Sequence, residues 1–424
     1  MKYKFKAPRG TQDILPNKSE VLQKIERKIF EVAKCFGFLE LRVPTFEHTE
    51  LFMRSVGDST DIVQKEMFTF EDRGGRSLSL RPEGTAGAVR AVVESGLINE
   101  ALPLKVCYLL SCFRNERPQA GRLKEFHQFG FELFGASSPV ADAEIISLIN
   151  HLFEELGVLN LKLELNSIGC SNCRGEYINA LVDYYSKYKN DLCETCLERL
   201  EKNPMRIIDC KNTKCKEISK NAPKILDYLC DECLDHFEAV KGFLTEQGVK
   251  FEINPYIVRG LDYYTRTVFE FNSSDLGAQS TVCGGGRYDG LTQIIGGKAV
   301  PALGCGIGIE RLVLIMEAQK NSMMNFEKQC DIYIGNIGNS SVGLCNLLAL
   351  KLRKAGLCVY TDLIGRSVKA QMKYADKIGA KYACIIGESE IEQGKVLVKN
   401  MKDGDNFEVL IENFVDKVTL QLEV

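Results

Sequence analysis

Residues 105–134, KVCYLLSCFRNERPQAGRLKEFHQFGFELF, carry the strongest constraint on the fold. Two strand-like runs flank a loop that contains Pro118 and Gly121, which is the pattern of a β-hairpin. Alternate residues of a strand share a face. Phe126, Gln128 and Glu132 therefore point one way, and His127, Phe129, Phe131 and Leu133 the other. On the incoming strand Arg114 and Glu116 share a side in the same manner. One face thus carries carboxylates, an amide, an arginine and an aromatic ring, whereas the other is mostly apolar. That is a binding floor backed by a core, with arginine placed for an anion. His127 falls on the apolar face, which marks it as a structural histidine rather than a catalytic base.

The flanking text supplies the rest of an α+β architecture. After a turn-rich opening, APRGTQDILP, Asn17 and Glu20 have the spacing of a capping box. Val21, Leu22, Ile25, Ile29, Val32 and Phe36 then form one apolar stripe that ends at Gly37. Residues 38–44 read as a strand broken by Pro44. Arg81-Pro82-Glu83-Gly84-Thr85 opens a small-residue helix, Ala86 to Val93, and residues 142–156 form a helix closed by Gly157. From Asn166 to about Lys250 the text is helical and rich in Cys and Lys, the mark of an inserted subdomain. After Phe326 strands alternate with helices: CDIYIGNIG, residues 341–355, LCVYTDL, residues 369–378, KYACIIG and KVLVKNM. This predicts a separate α/β domain with a partly parallel sheet.

A length of 424 residues suits two to three domains. No stretch approaches the ~18 apolar residues of a membrane span, and the basic start MKYKFKAPRG leads into no apolar run. A cytoplasmic protein is expected. A net charge of −3 does not announce a nucleic-acid binder, so any such site must be built by local focusing of basic residues. Seventeen cysteines in a reducing compartment are thiols or metal ligands before they are disulfides. Cys170-x₂-Cys173, Cys193-x₂-Cys196, Cys210-x₄-Cys215 and Cys230-x₂-Cys233 have the knuckle spacing of zinc–thiolate sites. Four pairs suffice for two structural zinc sites, and the spacing leaves their pairing open.

Glycine marks two further places. Thr281-Val282-Cys283-Gly284-Gly285-Gly286-Arg287-Tyr288-Asp289 lets backbone approach a ligand. Gly304, Gly306 and Gly308 strip one strand face bare, leaving a flat shelf for a nucleotide before the helix that begins Ile309-Glu310-Arg311. Gly297-Lys298 lacks the glycine and hydroxyl of a P-loop, and Gly304 to Gly308 is not the dinucleotide fingerprint.

FRNERPQAGRLKEFHQFGFELFG resembles motif 2 of class II aminoacyl-tRNA synthetases, in the form found in bacterial histidyl-tRNA synthetases. The first long helix and its strand ending in proline are similar to motif 1, and Gly-x-Gly-x-Gly-x-Glu-Arg to motif 3. Val258-Arg259-Gly260-Leu261-Asp262-Tyr263-Tyr264-Thr265 and CGGGRYDGL resemble the two histidyl signatures, and GRSVKAQMKYADKIGAKYACIIG the anticodon-binding domain. In that last segment Arg366, Lys369, Lys373 and Lys377 fall close to one helical face, suited to phosphates.

The resemblance implies an antiparallel-sheet catalytic core flanked by helices (1–168 and 251–325). It also implies a Cys-rich helical insertion (169–250), a C-terminal α/β anticodon-binding domain (326–424) and a homodimer. It implies histidine–tRNA ligation: histidine and ATP, with Mg²⁺, give histidyl-adenylate, and the histidyl group passes to tRNA(His). Arg259 and Arg114 would act catalytically at the α-phosphate, with Arg114 also on the substrate carboxylate. Phe126 would pack on adenine, Glu116 would lie at its edge, and Arg122 and Arg311 would hold the outer phosphates. Glu83, Gly84, Thr85 and Gln128 would receive the ammonium end of histidine, with Glu132, Tyr263 and Tyr264 at the imidazole. Gln119 in the motif 2 loop would read the acceptor end of the tRNA. Two rivals differ in class. One is the inactive paralogue that regulates ATP phosphoribosyltransferase, which typically lacks the Arg259-type arginine and the C-terminal domain. The other is a zinc-containing RNA-binding protein without catalysis, which leaves the arginine and glycine motifs unexplained.

Overall fold

The computed structural model describes residues 5–57, 60–277, 280–326 and 330–422; residues 1–4 of the basic start lie outside them. Its contacts divide the chain into two units, Met1–Asn325 and Phe326–Val424.

Helix α1 (Pro16–Cys35) buries Val21, Leu22, Ile25, Ile29 and Val32 of the expected stripe, while Phe36 is its half-buried C-cap. Its start differs from expectation, because no side chain caps it and Pro16 occupies the first turn. Proline lacks an N–H that the first turn would leave unbonded, and its fixed φ suits a helix. Asn17 and Glu20 consequently lie inside the helix and form no capping box. The following extended segment is also shorter than expected, since only β1 (Leu39–Glu40) pairs before Pro44. Beyond the proline come β2 (Phe46–His48), α2 (Thr49–Val56), β3 (Thr69–Glu71) and β4 (Ser77–Leu80). These three strands make a small sheet in the order β2-β4-β3.

Helix α3 (Thr85–Glu94) leads to the hairpin, β5 (Leu104–Phe113) and β6 (Glu125–Phe134). Its register is unbroken from Leu104 opposite Phe134 to Phe113 opposite Glu125. Phe129, Phe131 and Leu133 enter the main core with α1 and α4 (Pro139–Glu155), as the period-two alternation requires. Strand β7 (Leu161–Ser167) then sends the chain into the insertion, α5 (Ser171–Ser186), α6 (Glu194–Lys202), α7 (Thr213–Ser219) and α8 (Asp231–Glu246). Tyr177, Leu181, Tyr185, Leu192, Ile207 and Ile225 belong to a separate small core there. The chain returns through β8 (Glu252–Ile253), β9 (Thr265–Ser273), β10 (Thr281–Arg287), α9 (Leu291–Ile294), β11 (Ala302–Gly308) and α10 (Ile309–Ala318).

The large sheet has the order β1-β5-β6-β11-β10-β9-β7-β8. Its pairings are antiparallel except for β1 with β5 and β7 with β8. The order brings β6 beside β11 and β10, so residues far apart in sequence share one floor. Arg287 at the end of β10 is fully buried and pins this sheet to α4. It donates to both oxygens of Asp142 and to the carbonyls of Ala136 and Ser138.

The second unit contains β12 (Cys330–Asn336), α11 (Val342–Lys354), β13 (Val359–Thr361), α12 (Val368–Lys377) and β14 (Ala380–Ile386). It continues through α13 (Glu388–Gln393), β15 (Lys395–Asn400), β16 (Asn406–Leu410) and α14 (Phe414–Gln421). The sheet order is β13-β12-β14-β15-β16, with β13, β12 and β14 mutually parallel and the remainder antiparallel. Arg366 does not join the expected basic stripe. It precedes α12, pairs with Asp362 at 2.6 Å and stacks 4.0 Å from the Tyr374 ring centre. Lys369, Lys373 and Lys377 remain exposed on α12. Among the described residues no helix is long and apolar enough to cross a membrane.

Candidate active site

On the polar face of β6, Glu132 stands directly opposite Gly304 of β11. A Cβ on Gly304 would lie 1.7 Å from Glu132 Oε2, so only glycine lets the carboxylate lean across the sheet. Tyr108 Oη donates to Glu132 Oε1 at 2.8 Å, and Tyr288 Oη donates to Oε2. Burial pushes the Glu132 carboxyl up to about 8, further than hydrogen bonds from Tyr288, Thr85 and Tyr108 pull it back. Glu83 is buried nearby and accepts from the backbone N–H groups of Thr85 and Ala86 at 2.8 and 2.7 Å. Burial raises its pKa also. Gln128 Oε1 accepts the Gly84 N–H at 3.0 Å.

Tyr263 and Tyr264 are buried with ring centres 4.7 Å apart, and Tyr263 lies 5.5 Å from Tyr288. Glu132 and Tyr264, both expected at the imidazole, have different neighbours in the protein. The hydroxyls on Glu132 belong to Tyr108 and Tyr288, and the Tyr264 ring sits 5.5 Å from the Arg259 guanidinium. Neither Tyr108 nor Tyr288 was singled out by sequence. For Tyr108 a signal existed: it stands opposite Gly130, where a Cβ would be 2.2 Å from its ring. A glycine in an otherwise bulky strand marks a side chain crossing it.

Beside this cluster lies a cavity of about 170 Å³ bordered by Arg114, Arg122, Arg259 and Arg311, with Glu116, Phe126 and Gln128. Each guanidinium is aimed by a local contact. Arg114 donates to the Pro82 carbonyl at 2.8 Å and lies 5.2 Å from the Phe126 ring centre. Arg122 pairs with Glu116 at 2.7 Å, and Arg259 pairs with Glu270. Arg311 donates to the carbonyls of Gly121 and Thr281 at 3.2 and 2.6 Å. Burial, followed by the charges of Arg122 and Arg114, lowers the pKa of Arg311. The Nε atoms of Arg122 and Arg259 are buried without a hydrogen-bond partner. Concentrated positive charge with unmet donors is what a polyanionic ligand satisfies.

Some of the glycines make room for side chains, while Gly284, Gly306 and Gly308 also line the cavity. Gln128 covers Gly306 as Glu132 covers Gly304, leaving Gly308 with only an ordinary 3.6 Å approach from Arg311. A Cβ on Gly284 would come within 2.4 Å of the Arg259 guanidinium. His127 is not in the cavity; its N–H and Nδ1 bind Glu310, whose hydrogen bond raises the imidazole pKa. Gln119 is exposed in the hairpin turn, exchanging backbone hydrogen bonds with Arg122. Among the described residues no disulfide forms. The insertion cysteines gather as Cys170, Cys173, Cys230 and Cys233, and as Cys193, Cys196, Cys210 and Cys215.

Two family models match this chain, one described as histidyl-tRNA synthetase over residues 10–312 and one as an anticodon binding domain over residues 331–420. The chain belongs to the histidyl-tRNA synthetase family. A histidine–tRNA ligase of Acetivibrio thermocellus is 49% identical, spanning 98% of this chain and 99% of its own. Another, from Clostridium novyi, is 50% identical over 99% and 100%. The crystal structure of apo S. aureus histidyl-tRNA synthetase superposes with a TM-score of 0.84 at 35% identity, covering 98% and 99% of the two chains. The segments that resemble motif 2 form β5 and β6 of this histidyl-tRNA synthetase family member, those that resemble motif 3 form β11 and α10, and the one that resembles the first histidyl signature precedes β9.

Proposed function

We infer that the chain joins histidine to tRNA(His) in two steps at the face shared by β6, β10 and β11. One observation carries the assignment of roles. The buried carboxylate–tyrosine cluster adjoins the arginine cavity, and Gln128 and Arg259 belong to both. A ligand spanning that junction has an imidazole at Glu132, a carboxylate at Arg114 and Arg259, and phosphates toward Arg122 and Arg311.

In the first step a carboxylate oxygen of histidine attacks the α-phosphorus of ATP, the bond to the β-phosphate breaks, and pyrophosphate leaves. Two anions must meet, so fixed positive charge is the main requirement. Arg259 and Arg114 bridge the carboxylate and the α-phosphate, while Arg122 and Arg311 hold the departing phosphates. Phe126 stacks on adenine and Glu116 lies at its edge. In the second step a terminal ribose hydroxyl of tRNA(His) attacks the acyl carbon and AMP leaves; Gln119 at the exposed turn meets the acceptor end. Glu83, Gly84, Thr85 and Gln128 receive the ammonium group.

Glu132, held by two phenols, takes one ring nitrogen, and Tyr264 is offered to the other, with Tyr263 packed beside it. A substrate without those nitrogens strands buried polar groups, a penalty of roughly 10⁴-fold or more. Magnesium fits as an ion that arrives on the triphosphate, because Glu116 and Glu310 beside the cavity are already engaged by Arg122 and His127. Glu116 and Glu310 are the carboxylates that border the cavity, and the ion would supply neutralisation of the leaving pyrophosphate when bound.

Three wider assignments follow. The catalytic core is 1–168 with 251–325, interrupted by the insertion 169–250, and 326–424 presents Lys369, Lys373 and Lys377 to anticodon-arm phosphates. Exposed Leu39 on the sheet edge, with Phe46 and Phe70 on the small sheet, supports a homodimer formed through motif 1, checked by light scattering. Action on tRNA supports a cytoplasmic location. The deciding experiment is ATP–pyrophosphate exchange with each of the twenty amino acids in the absence of tRNA. Exchange with histidine alone is expected. Folded protein that exchanges with none is the regulatory paralogue instead.

A further inference from the structure

The insertion has a small core of its own, which includes Cys196, Cys210 and Cys215, and its cysteines form two groups. The chain leaves β7, passes Cys170 and Cys173, and re-enters at Cys230 and Cys233. The other four, Cys193, Cys196, Cys210 and Cys215, lie between them in sequence and form their own group. Within each group the four sulfurs lie within 4.8 Å of one another. Measured separations are 3.6 Å for Cys170–Cys173, 3.9 Å for Cys170–Cys230 and 3.8 Å for Cys193–Cys210. A disulfide requires about 2.05 Å, whereas a tetrahedron of ~2.3 Å metal–sulfur bonds has edges of about 3.8 Å. Two thiols touch at such a distance by ordinary packing, but two complete sets of four do not arise that way.

The surrounding backbone is arranged for thiolates. Cys170, Cys193 and Cys230 each stand immediately before the first turn of a helix, with Cys173, Cys196 and Cys233 inside those turns. The positive ends of α5, α6 and α8 therefore face sulfur. The Cys193 N–H donates to Cys215 Sγ at 3.3 Å, and the Cys230 N–H donates to Cys173 Sγ at 3.2 Å.

We propose that the insertion binds two zinc ions in nested four-thiolate sites, and that the outer ion holds the backbone of the histidine pocket in place. On binding, each Zn²⁺ replaces four thiol protons, which pass to solvent, so each site gains a net charge of −2. The outer site is tied to the pocket by Arg174, one turn from Cys170. Arg174 donates to the carbonyls of Ile168 and Tyr264. The turn at Ile168–Gly169 is also hydrogen-bonded to Arg266 in both directions, at 2.8 and 3.0 Å. Tyr264 and Arg266 flank the start of β9, so a change at the outer thiolates is transmitted to Tyr263 and Tyr264. The inner site reaches this segment through side chains alone: Asn203 and Arg206, between Cys196 and Cys210, donate to Asp262 Oδ1 at 3.2 and 2.8 Å, whereas the outer site is tied to the backbone of Tyr264 itself. This second clause rests on the assignment of Tyr263 and Tyr264 to the histidine pocket; the metal sites do not.

Metal content of the full-length chain, produced with zinc in the medium and purified without chelator, decides the first clause by mass spectrometry. Two zinc ions per chain are expected, and a Cys196→Ser/Cys215→Ser variant should retain one. Less than half an ion per chain, or iron in place of zinc, overturns the proposal. Because a variant can lose its fold, the unmodified protein is also titrated with a mercurial: release of zinc in two equal phases supports two sites, and release of none refutes them. For the second clause, KM for histidine is compared with KM for ATP. The outer variant Cys173→Ser/Cys233→Ser should raise KM for histidine about tenfold, more than the inner variant does, and leave KM for ATP unchanged. Equal histidine KM in wild type and the outer variant removes the coupling and leaves the two sites standing.

Discussion

Tyr108 donates a 2.8 Å hydrogen bond to Glu132 across the bare Cα of Gly130, with both residues fully buried. Tyr288 closes on the other carboxylate oxygen, so the orientation of Glu132 is set before any substrate arrives. Tyr108→Phe keeps the ring and removes the donor. Leaving a buried acceptor without its donor costs about 1–3 kcal/mol, and ~1.4 kcal/mol is tenfold. KM for histidine in pyrophosphate exchange should rise by that factor, while KM for ATP stays within about twofold.

The raised pKa of Glu132, about 8, gives histidine binding a pH window. Free imidazole titrates near ~6.5, and a carboxyl–imidazole pair in contact holds one proton between them. Between these values the free partners already carry that single proton. Below ~6.5 they carry two and must release one; above about 8 they carry none and must take one up. Affinity measured calorimetrically should therefore be flat from about pH 6.5 to 8 and fall on both sides. An affinity that still climbs above pH 8 would show that Glu132 binds as a fully ionised partner.

Gly304 and Gly308 should respond differently to alanine, although they share one strand face. The Gly304 methyl would sit 1.7 Å from Glu132 Oε2 and 2.4 Å from the Phe131 carbonyl, whereas the Gly308 methyl meets Arg311 at 3.6 Å. Gly304→Ala should abolish histidine-dependent exchange by about 100-fold or more, since a misplaced group of ~1 Å is worth that much. Gly308→Ala should change the rate by only a few-fold.

Arg259 pairs with Glu270 under Gly284 and lines the phosphate cavity. Arg259→His should abolish adenylate formation with the far-UV circular dichroism unchanged. Normal exchange in that variant would remove Arg259 from the α-phosphate.

Arg287 donates three hydrogen bonds to Asp142 in a fully buried pair. Arg287→Met leaves the buried Asp142 carboxylate with His236 Nε2, 3.3 Å away, as its remaining charged-group neighbour, and breaking a buried pair in this way costs about 3–5 kcal/mol. Urea unfolding should show that loss, and Arg287→Met/Asp142→Leu should recover most of it. A double variant no more stable than the single one would mean that packing, not charge, is responsible.

The sequence by itself determined the elements whose pattern is local. Phe126, Gln128 and Glu132 share a face because successive residues of any strand alternate, and the stripe from Val21 to Val32 is buried because a helix repeats every ~3.6 residues. The four arginines were legible because each stands in a short motif. Tertiary structure alone decided what those residues meet. Tyr108 reads as one more apolar residue of β5 until register sets it over Gly130, and Gly304 and Gly306 read as an open shelf until β6 lays Glu132 and Gln128 across them. Arg366 reads as part of a basic stripe until Asp362 and Tyr374 capture it. Eight cysteines in four pairs allow several partitions, and the return of α8 beside the start of α5 selects one. Periodicity follows from the geometry of a single chain segment, whereas partner choice between distant segments depends on strand order and register.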